Sequence, residues 1–317
     1  MDQQATRDIG QFQRTDAFQR YLRASSYLYS KVKLISGLQV FLTILVPVIL
    51  SVLSVLFSRE SQQGAGLKGW AAFYGIAIVL LDSMFLDKAQ KSLKKEAAQI
   101  QELFDCELLE MPWNEFKAGD RPTPEKIDQS SRALKRELTE REKNWYPSVV
   151  SKLPLYLCRV VCQRTNIWWD GELRRRYAFW LSSFAVGMIL LAAIVGMVRN
   201  MSLGTFVLTI MAPLFPAAMW FIRERNRQKE STVTLDRLMK HTTGLWTSVL
   251  RAEMSPADAL VKSRELQDEL FVHRQSNQPI PNLVNRIFAS RFDQSMNKGA
   301  EELVDAAQAA IRRHTRR

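Results

Sequence analysis

The sequence lacks several short motifs that mark common enzyme classes. It contains no G-x-x-x-x-G-K-S/T phosphate loop, no H-E-x-x-H and no G-x-S-x-G. Its three histidines, His241, His273 and His314, are scattered along the C-terminal segment. The sequence therefore offers few candidate residues for a metal enzyme, or for an enzyme that uses a nucleophile and a histidine base. We therefore predict that the chain is not an enzyme and has no catalytic residue, metal site or cofactor.

Cysteine is scarce as well, with Cys106, Cys158 and Cys162 the only three in 317 residues. Cys158 and Cys162 are one helical turn apart, but no histidine or second cysteine pair is near enough in sequence to complete a zinc site. We interpret all three as reduced core residues without a disulfide framework. No run has the two-residue alternation of a β-strand, so the sequence predicts helices.

Charge is absent from several long apolar runs. Residues 34–57 contain no charged side chain, and as a helix they would span about 36 Å, more than the ~30 Å hydrocarbon core of a bilayer. Residues 177–198 and 205–222 are equally free of charge, and residues 67–86 contain only Lys68 and Asp82. The loops within each pair of runs are short. The sequence therefore predicts four transmembrane helices in two hairpins.

These runs divide the chain and predict an all-α membrane protein with a composite helical cytoplasmic domain. The predicted parts are a cytoplasmic N-terminal helix (1–33), a first transmembrane hairpin (34–86), a cytoplasmic helical segment (87–176), a second hairpin (177–222) and a C-terminal cytoplasmic segment (223–317). Lys and Arg are concentrated at the ends of the runs that are opposite the short loops. This asymmetry predicts that both termini lie in the cytoplasm and that the spans lie in a bacterial inner membrane. The polar segment before the first run does not resemble a cleaved signal.

A formal net charge of +12 leaves two kinds of partner open, nucleic acid and anionic lipid. Because the basic clusters flank the apolar runs, we favour the lipid bilayer and predict no DNA or RNA polymer as a partner.

Within the cytoplasmic parts, breakers and helix signals predict the secondary structure. A helix is expected to run from residue 11 into the first span, and a helical stalk from the second span to about Phe104. Residues 105–122 read as a loop, followed by a helix from the Thr123–Pro124 start signal to about Lys143. Further helices are predicted over residues 235–250, 255–274, 283–293 and 298–312.

Polar residues inside the predicted spans allow two interpretations. Gln39, Thr43, Ser51 and Ser54 share one face of the first span, either as a wet stripe lining a pore or as small groups that let helices pack closely. Asp82 is the one acid within a span. It either belongs to an ion path or reaches the interface and pairs with a neighbouring arginine.

The stretch CQRTNIWWDGELRRRY, residues 162–177, precedes the third predicted span. Its tryptophans and arginines are typical of a belt at the membrane surface. A belt, however, needs neither an acid nor an amide. We therefore consider a ligand-binding set in this stretch: Arg164, Asn166, Trp168, Trp169, Asp170, Arg174, Arg175 and Arg176.

The same region resembles a known family. NWYPSVVSKLPLYLCRVVCQRTNIWWDGELRRRYAFW, with two spans on either side, the upstream FDCELLEMPWN and the later HRQSNQPIPN, is similar to the SMODS-associating four-transmembrane effector family. The resemblance covers most of the chain and is less clear over the last 40 residues. It implies a pore-forming membrane effector of a bacterial antiphage system of the CBASS type. In such a system a partner nucleotidyltransferase makes a cyclic oligonucleotide, and the effector responds by breaching the inner membrane.

Residues and resemblance together suggest one mechanism. The arginines of the set would bind phosphates and the tryptophans would stack on bases, while Asn166 and Asp170 would read base edges or fix the arginines. A ligand that orders this stretch would tilt or rotate the third span and open a pore in a homo-oligomer. Two alternatives stay open for the chain as a whole, a membrane-anchored scaffold and a transporter subunit. A purely structural role stays open for the set.

Overall fold

The computed structural model describes residues 7–46 and 82–315, together with the single positions 49 and 77. Every regular element within those ranges is helical, in agreement with the predicted class. One of the described helices, Leu155–Val198, is long and apolar enough to cross a bilayer. Most of the first predicted hairpin, including Ser51 and Ser54, lies outside the described residues.

The described elements follow one another as helices joined by short turns. In chain order they are α1 (Ile9–Phe12), α2 (Asp16–Val40), a π-helical turn (Phe41–Leu45), a second π-helical turn (Asp82–Leu86), α3 (Asp87–Leu108), α4 (Glu115–Ala118), α5 (Pro124–Ala133), α6 (Glu140–Lys143), a 3-10 turn (Ser148–Lys152), α7 (Leu155–Val198), α8 (Leu203–Phe206), a third π-helical turn (Val207–Met211), α9 (Ala212–Leu250), α10 (Pro256–Ser276) and α11 (Asn282–Thr315).

The chain folds into two compact units. Unit 1 comprises Met1–Lys31, Ser92–Leu173 and Ser231–Arg317, and unit 2 comprises Val32–Lys91 and Arg174–Glu230. Unit 1 therefore gathers most of the residues that the sequence assigns to the cytoplasm, and unit 2 most of those assigned to the spans.

The start signals read from the sequence are confirmed, but one predicted helix is too long. The Thr123 hydroxyl accepts a hydrogen bond from the Lys126 amide at the start of α5. The helix ends at Ala133 instead of continuing to Lys143, because Leu134 turns to an extended conformation and is buried there. A separate helix, α6, then begins at its own capping box of Thr139 and Glu142.

Two other expectations need correction. The predicted loop after Phe104 is partly helical, since α3 continues to Leu108 and the short helix α4 follows. The two predicted C-terminal helices are a single helix, α11. The sequence between them contains no proline, and Phe292 and Val304 are both buried, so one packed face passes through the expected break.

The core of unit 1 joins α3, the first turns of α7 and α11. Phe104 stacks on Tyr146 with ring centroids 6.3 Å apart, and both side chains are buried. Leu157 of α7 and Val304 of α11 belong to the same cluster. Each such apolar side chain contributes roughly 1.5–3 kcal/mol on burial, so this cluster provides the main stabilisation of the unit.

In unit 2, close contacts and polar side chains join the helices. The Gln90 amide of α3 donates to the Ser36 hydroxyl (2.6 Å) and to the Gln39 side-chain oxygen (3.0 Å) of α2. A Cβ atom added at Gly196 of α7 would lie 2.7 Å from the ring of Phe206, so only glycine permits this approach. Both contacts are of the kind that small and polar residues make between transmembrane helices.

Candidate functional site

All eight residues of the predicted ligand-binding set lie on α7, but they do not share a face. At 100° per residue, Arg164, Trp168 and Arg175 point to one side of the helix. Asn166, Asp170 and Arg174 point to another, and Trp169 and Arg176 to a third. The set is also divided between the units, with residues 164–170 in unit 1 and 174–176 in unit 2.

Asn166 belongs to a chain of hydrogen bonds in the core of unit 1. Its side-chain oxygen accepts from the Trp145 indole (3.1 Å), and its amide donates to the Tyr146 hydroxyl (2.7 Å). The Tyr146 hydroxyl in turn donates to Asp105 Oδ1 at 2.6 Å. Burial, followed by the charge of Asp105, holds the pKa of Tyr146 well above its usual range. Asn166 thus connects α7 to a buried acid.

That acid is part of a group that we call the buried charge network: Glu102 and Asp105 of α3 with Arg264, Gln267 and Arg274 of α10. Arg274 lies 2.6 Å from Asp105, and Arg264 forms a salt bridge with Glu102. The Gln267 amide donates to both acids at 2.9 Å. Burial raises the pKa of Glu102, although both arginines oppose the shift. Removing one member of such a network leaves an uncompensated buried charge.

Asp170 has a histidine partner that sequence spacing did not indicate. Its Oδ2 atom lies 2.7 Å from Nε2 of the buried His273 of α10. The Asn277 amide donates to Nδ1 of the same ring at 3.0 Å, which leaves the Nε2 proton to donate to Asp170. Asp170 therefore joins α7 to α10 within unit 1.

Trp168 and Trp169 both pack edge-to-face against Phe292 of α11, with centroids 5.9 and 5.5 Å from it. The Arg141 guanidinium lies over the Trp169 ring, 3.9 Å from its centroid. Arg141 also forms a salt bridge with Asp293 at 2.9 Å. Trp169 thus contacts both an aromatic ring and a cation, which stabilises its position.

Arg164 differs from the other members of the set in unit 1. Its side chain is partly buried, and among the described residues it has no hydrogen-bond or ion-pair partner. Burial lowers the pKa of its guanidinium. A poorly solvated arginine without a partner is suited to binding an anion.

In unit 2, Arg174 is buried and donates to the Gln228 side-chain oxygen at 2.8 Å. Arg175 and Arg176 are exposed beside the start of the apolar run. They are placed where lipid head groups would lie if residues 177–198 cross a bilayer.

Unit 1 also contains a cleft of about 500 Å³ that the sequence did not predict. One wall is residues 140–149, the other is α11, and Arg14 lies at the edge. Arg14 donates to the Asn144 side-chain oxygen (2.7 Å) and lies 3.5 Å from Glu140. Burial raises the pKa of Asp293 in the second wall, although Arg141 opposes the shift.

The predicted stripe of polar residues is only partly described. Gln39 accepts the hydrogen bond from Gln90. Thr43 and Asp82 fall in π-helical turns, and their side chains, like Ser51 and Ser54, lie outside what the structure describes. Within the described part of the chain, no three His, Cys, Asp or Glu side chains are grouped to hold a metal ion.

Comparison with known proteins gives two matches. The family described as the SMODS-associating 4TM effector domain matches residues 7–303. A probable CBASS effector molecule of Bacillus cereus strain VD146 is 28% identical over 254 residues, which cover 80% of this chain and 83% of that protein. No solved structure matches significantly.

Proposed function

The chain belongs to the SMODS-associating 4TM effector family, and from that membership we propose that it is the membrane effector of a nucleotide-signalling antiphage defence system. The similarity to a probable CBASS effector over most of both chains supports this assignment. In the proposal, the protein is a multi-pass protein of the bacterial inner membrane with both termini in the cytoplasm. A partner nucleotidyltransferase makes a cyclic oligonucleotide, and the protein responds by opening an oligomeric pore.

One observation carries the mechanism. The predicted ligand-binding residues and the uncharged run 177–198 lie on the same unbroken helix, α7. A continuous hydrogen-bonded helix moves as a stiff element, so a ligand that shifts its first half also acts on its apolar half. Pore opening in an oligomer would follow from that displacement.

Within this proposal the eight residues of the set take different roles. Arg164, without a partner among the described residues, binds a phosphate, and Trp168, one turn away on the same face, stacks on a base. Asn166, Trp169 and Asp170 hold α7 in unit 1 through the contacts described above. Arg175 and Arg176 face lipid head groups, and Arg174 remains packed against Gln228.

Dye release from liposomes tests the proposal. The full chain would be reconstituted with trapped dye and exposed to cyclic di-AMP, cyclic di-GMP, 3′,3′-cyclic GMP–AMP and cyclic tri-AMP, with linear AMP and GMP as controls. We expect release with at least one cyclic compound and none with the linear ones. Binding without release would favour a scaffold. Failure of every cyclic compound to bind or to cause release would contradict the proposed function.

A further inference from the structure

We propose that the cleft of unit 1 is a nucleotide pocket, in which one nucleoside unit of the cyclic oligonucleotide is held with its base on the cleft floor and its phosphate at Arg14. This inference rests on the proposed function: it replaces the Arg164 face of α7 as the ligand site and keeps every other part of that proposal.

The shape of the cleft suits a planar base. Its volume of about 500 Å³ is within the ~300–1,000 Å³ that is usual for small-molecule sites. Its lining includes the apolar side chains of Pro147, Val149 and Met296, which can contact a base, and the polar side chains of Asn144, Ser148 and Asn297.

The charges of the cleft favour a base over several phosphates. Its lining includes Arg14 and Arg141 but also three acids, Glu140, Asp293 and Glu301, so there is no positive excess. Amides and carboxylates instead match the donors and acceptors on base edges. The partly buried Asp293 carboxylate, which Arg141 contacts through one oxygen, can accept from a base N–H group. The interior therefore fits a neutral base and sugar.

Arg14 can bind the phosphate at the edge of the cleft. Its side chain is 56% exposed, and its ion pair with Glu140 is 3.5 Å long and open to solvent. Exposed pairs of this kind contribute little, so a phosphate, which forms stronger bidentate bonds with arginine, displaces Glu140 at small cost. Lys143 remains as a partner for Glu140 at 2.9 Å.

The cleft is connected to α7 through one side chain. Arg141 lines the cleft, bonds to Asp293 across it, and lies over Trp169 of α7. A base that takes the Asp293 carboxylate frees Arg141 from this salt bridge and changes its position on the Trp169 ring. Occupation of the cleft is thereby conveyed to the helix that contains the apolar run.

Calorimetric binding to the detergent-solubilised full chain tests the inference, with the four cyclic compounds named above as probes. Arg14→Ala removes the phosphate partner, and Asn297→Trp fills the cleft from an exposed position on α11 without touching the core. Arg132→Ala is the matched control, because it removes an exposed, ion-paired arginine outside the cleft. We expect at least a tenfold loss of affinity in the first two variants and less than a twofold change in the control.

The possible outcomes separate the two proposals. Wild-type binding that persists in Arg14→Ala and Asn297→Trp, or that is lost only in Arg164→Ala, overturns the cleft and leaves the proposed function standing. Failure of the wild type to bind any of the four compounds overturns both. Loss of binding in all three arginine variants, including the control, would show a general charge effect and would also overturn the cleft.

Discussion

At the scale of single residues, burial decides what an ion pair contributes. Arg274 and Asp105 are almost fully removed from water, so their attraction offsets a desolvation cost of several kcal/mol per ion, and either residue alone would be strongly unfavourable. Arg132 and Asp128 form a salt bridge of similar length on the surface, where water competes. Bonds of almost equal length therefore differ greatly in the cost of breaking them.

Arg274→Ala tests this difference. Because it leaves Asp105 buried without its cation, while Glu102 keeps Arg264, we expect the free energy of unfolding to fall by about 3–5 kcal/mol. Arg132→Ala should lose only about 0–1 kcal/mol. Denaturant unfolding of the full chain in detergent measures both. Equal losses in the two variants would show that the buried charge network does not hold α3 to α10.

Tyr21 predicts a pH dependence. Burial, followed by the hydrogen bond that its hydroxyl donates to Glu107 (2.8 Å), raises the pKa of Tyr21 to about 12. A raised pKa means that the folded state keeps its proton longer than the unfolded chain. The stability that Tyr21 adds is therefore complete below about pH 10 and is lost as the pH rises towards 12.

We expect Tyr21→Phe to lose about 0.5–1.5 kcal/mol at pH 8, where the hydrogen bond is intact, and less at pH 11. Unfolding of wild type and variant at both values provides the comparison. Other groups that titrate over this range affect both proteins alike and cancel in the difference. A difference in free energy of unfolding between wild type and variant that is larger at pH 11 than at pH 8 would contradict the raised pKa of Tyr21.

At the scale of helices, local signals predicted beginnings better than ends. The hydroxyl caps at Thr123 and Ser255 are readable because the cap, the following proline and the first turn are neighbours in sequence. The end of α5 and the continuity of α11 could not be predicted from the sequence, because they depend on the core into which Leu134 and Val304 pack.

The partners of Asp170 and Asn166 were missed for the same reason, since His273 and Tyr146 are brought close only by the fold. The pair Glu102 and Asp105, three residues apart with Leu103 and Phe104 between them, was an available signal for the buried charge network.

Glycines offer a test at this scale. Gly299 lies inside α11, and a Cβ atom there meets nothing within 4 Å, so Gly299→Ala should raise the free energy of unfolding by about 0.5–1 kcal/mol. At Gly10 of α1, an added Cβ would lie 2.9 Å from that of Ser148, and Gly10→Ala should destabilise. Thermal unfolding of the two variants should shift in opposite directions. Destabilisation by Gly299→Ala would contradict a single continuous α11.

At the scale of the whole molecule, the account requires unit 1 in the cytoplasm. Patterns in the sequence predicted that division because membrane spans are recognisable by composition alone, and α7 is long and apolar enough to be one of them. The cleft could not be predicted from composition, since its two walls are about 150 residues apart in the chain.

Sidedness can be measured with introduced cysteines. The three native cysteines are buried, so they give a low background. Phe116→Cys adds a thiol at a position that is 95% exposed in unit 1, and Arg199→Cys adds one in the short loop after α7. With a membrane-impermeant maleimide, intact spheroplasts should label only Arg199→Cys, and inverted vesicles only Phe116→Cys. The reverse pattern would contradict cytoplasmic sensing.

Current across a planar bilayer that contains the purified chain tests ligand-triggered pore formation most directly. We predict stepwise conductance when an activating cyclic oligonucleotide is added to the chamber that unit 1 faces. We predict no current when it is added only to the opposite chamber. Conductance that is independent of ligand would contradict the account. So would the absence of current in the presence of a ligand that the same preparation binds.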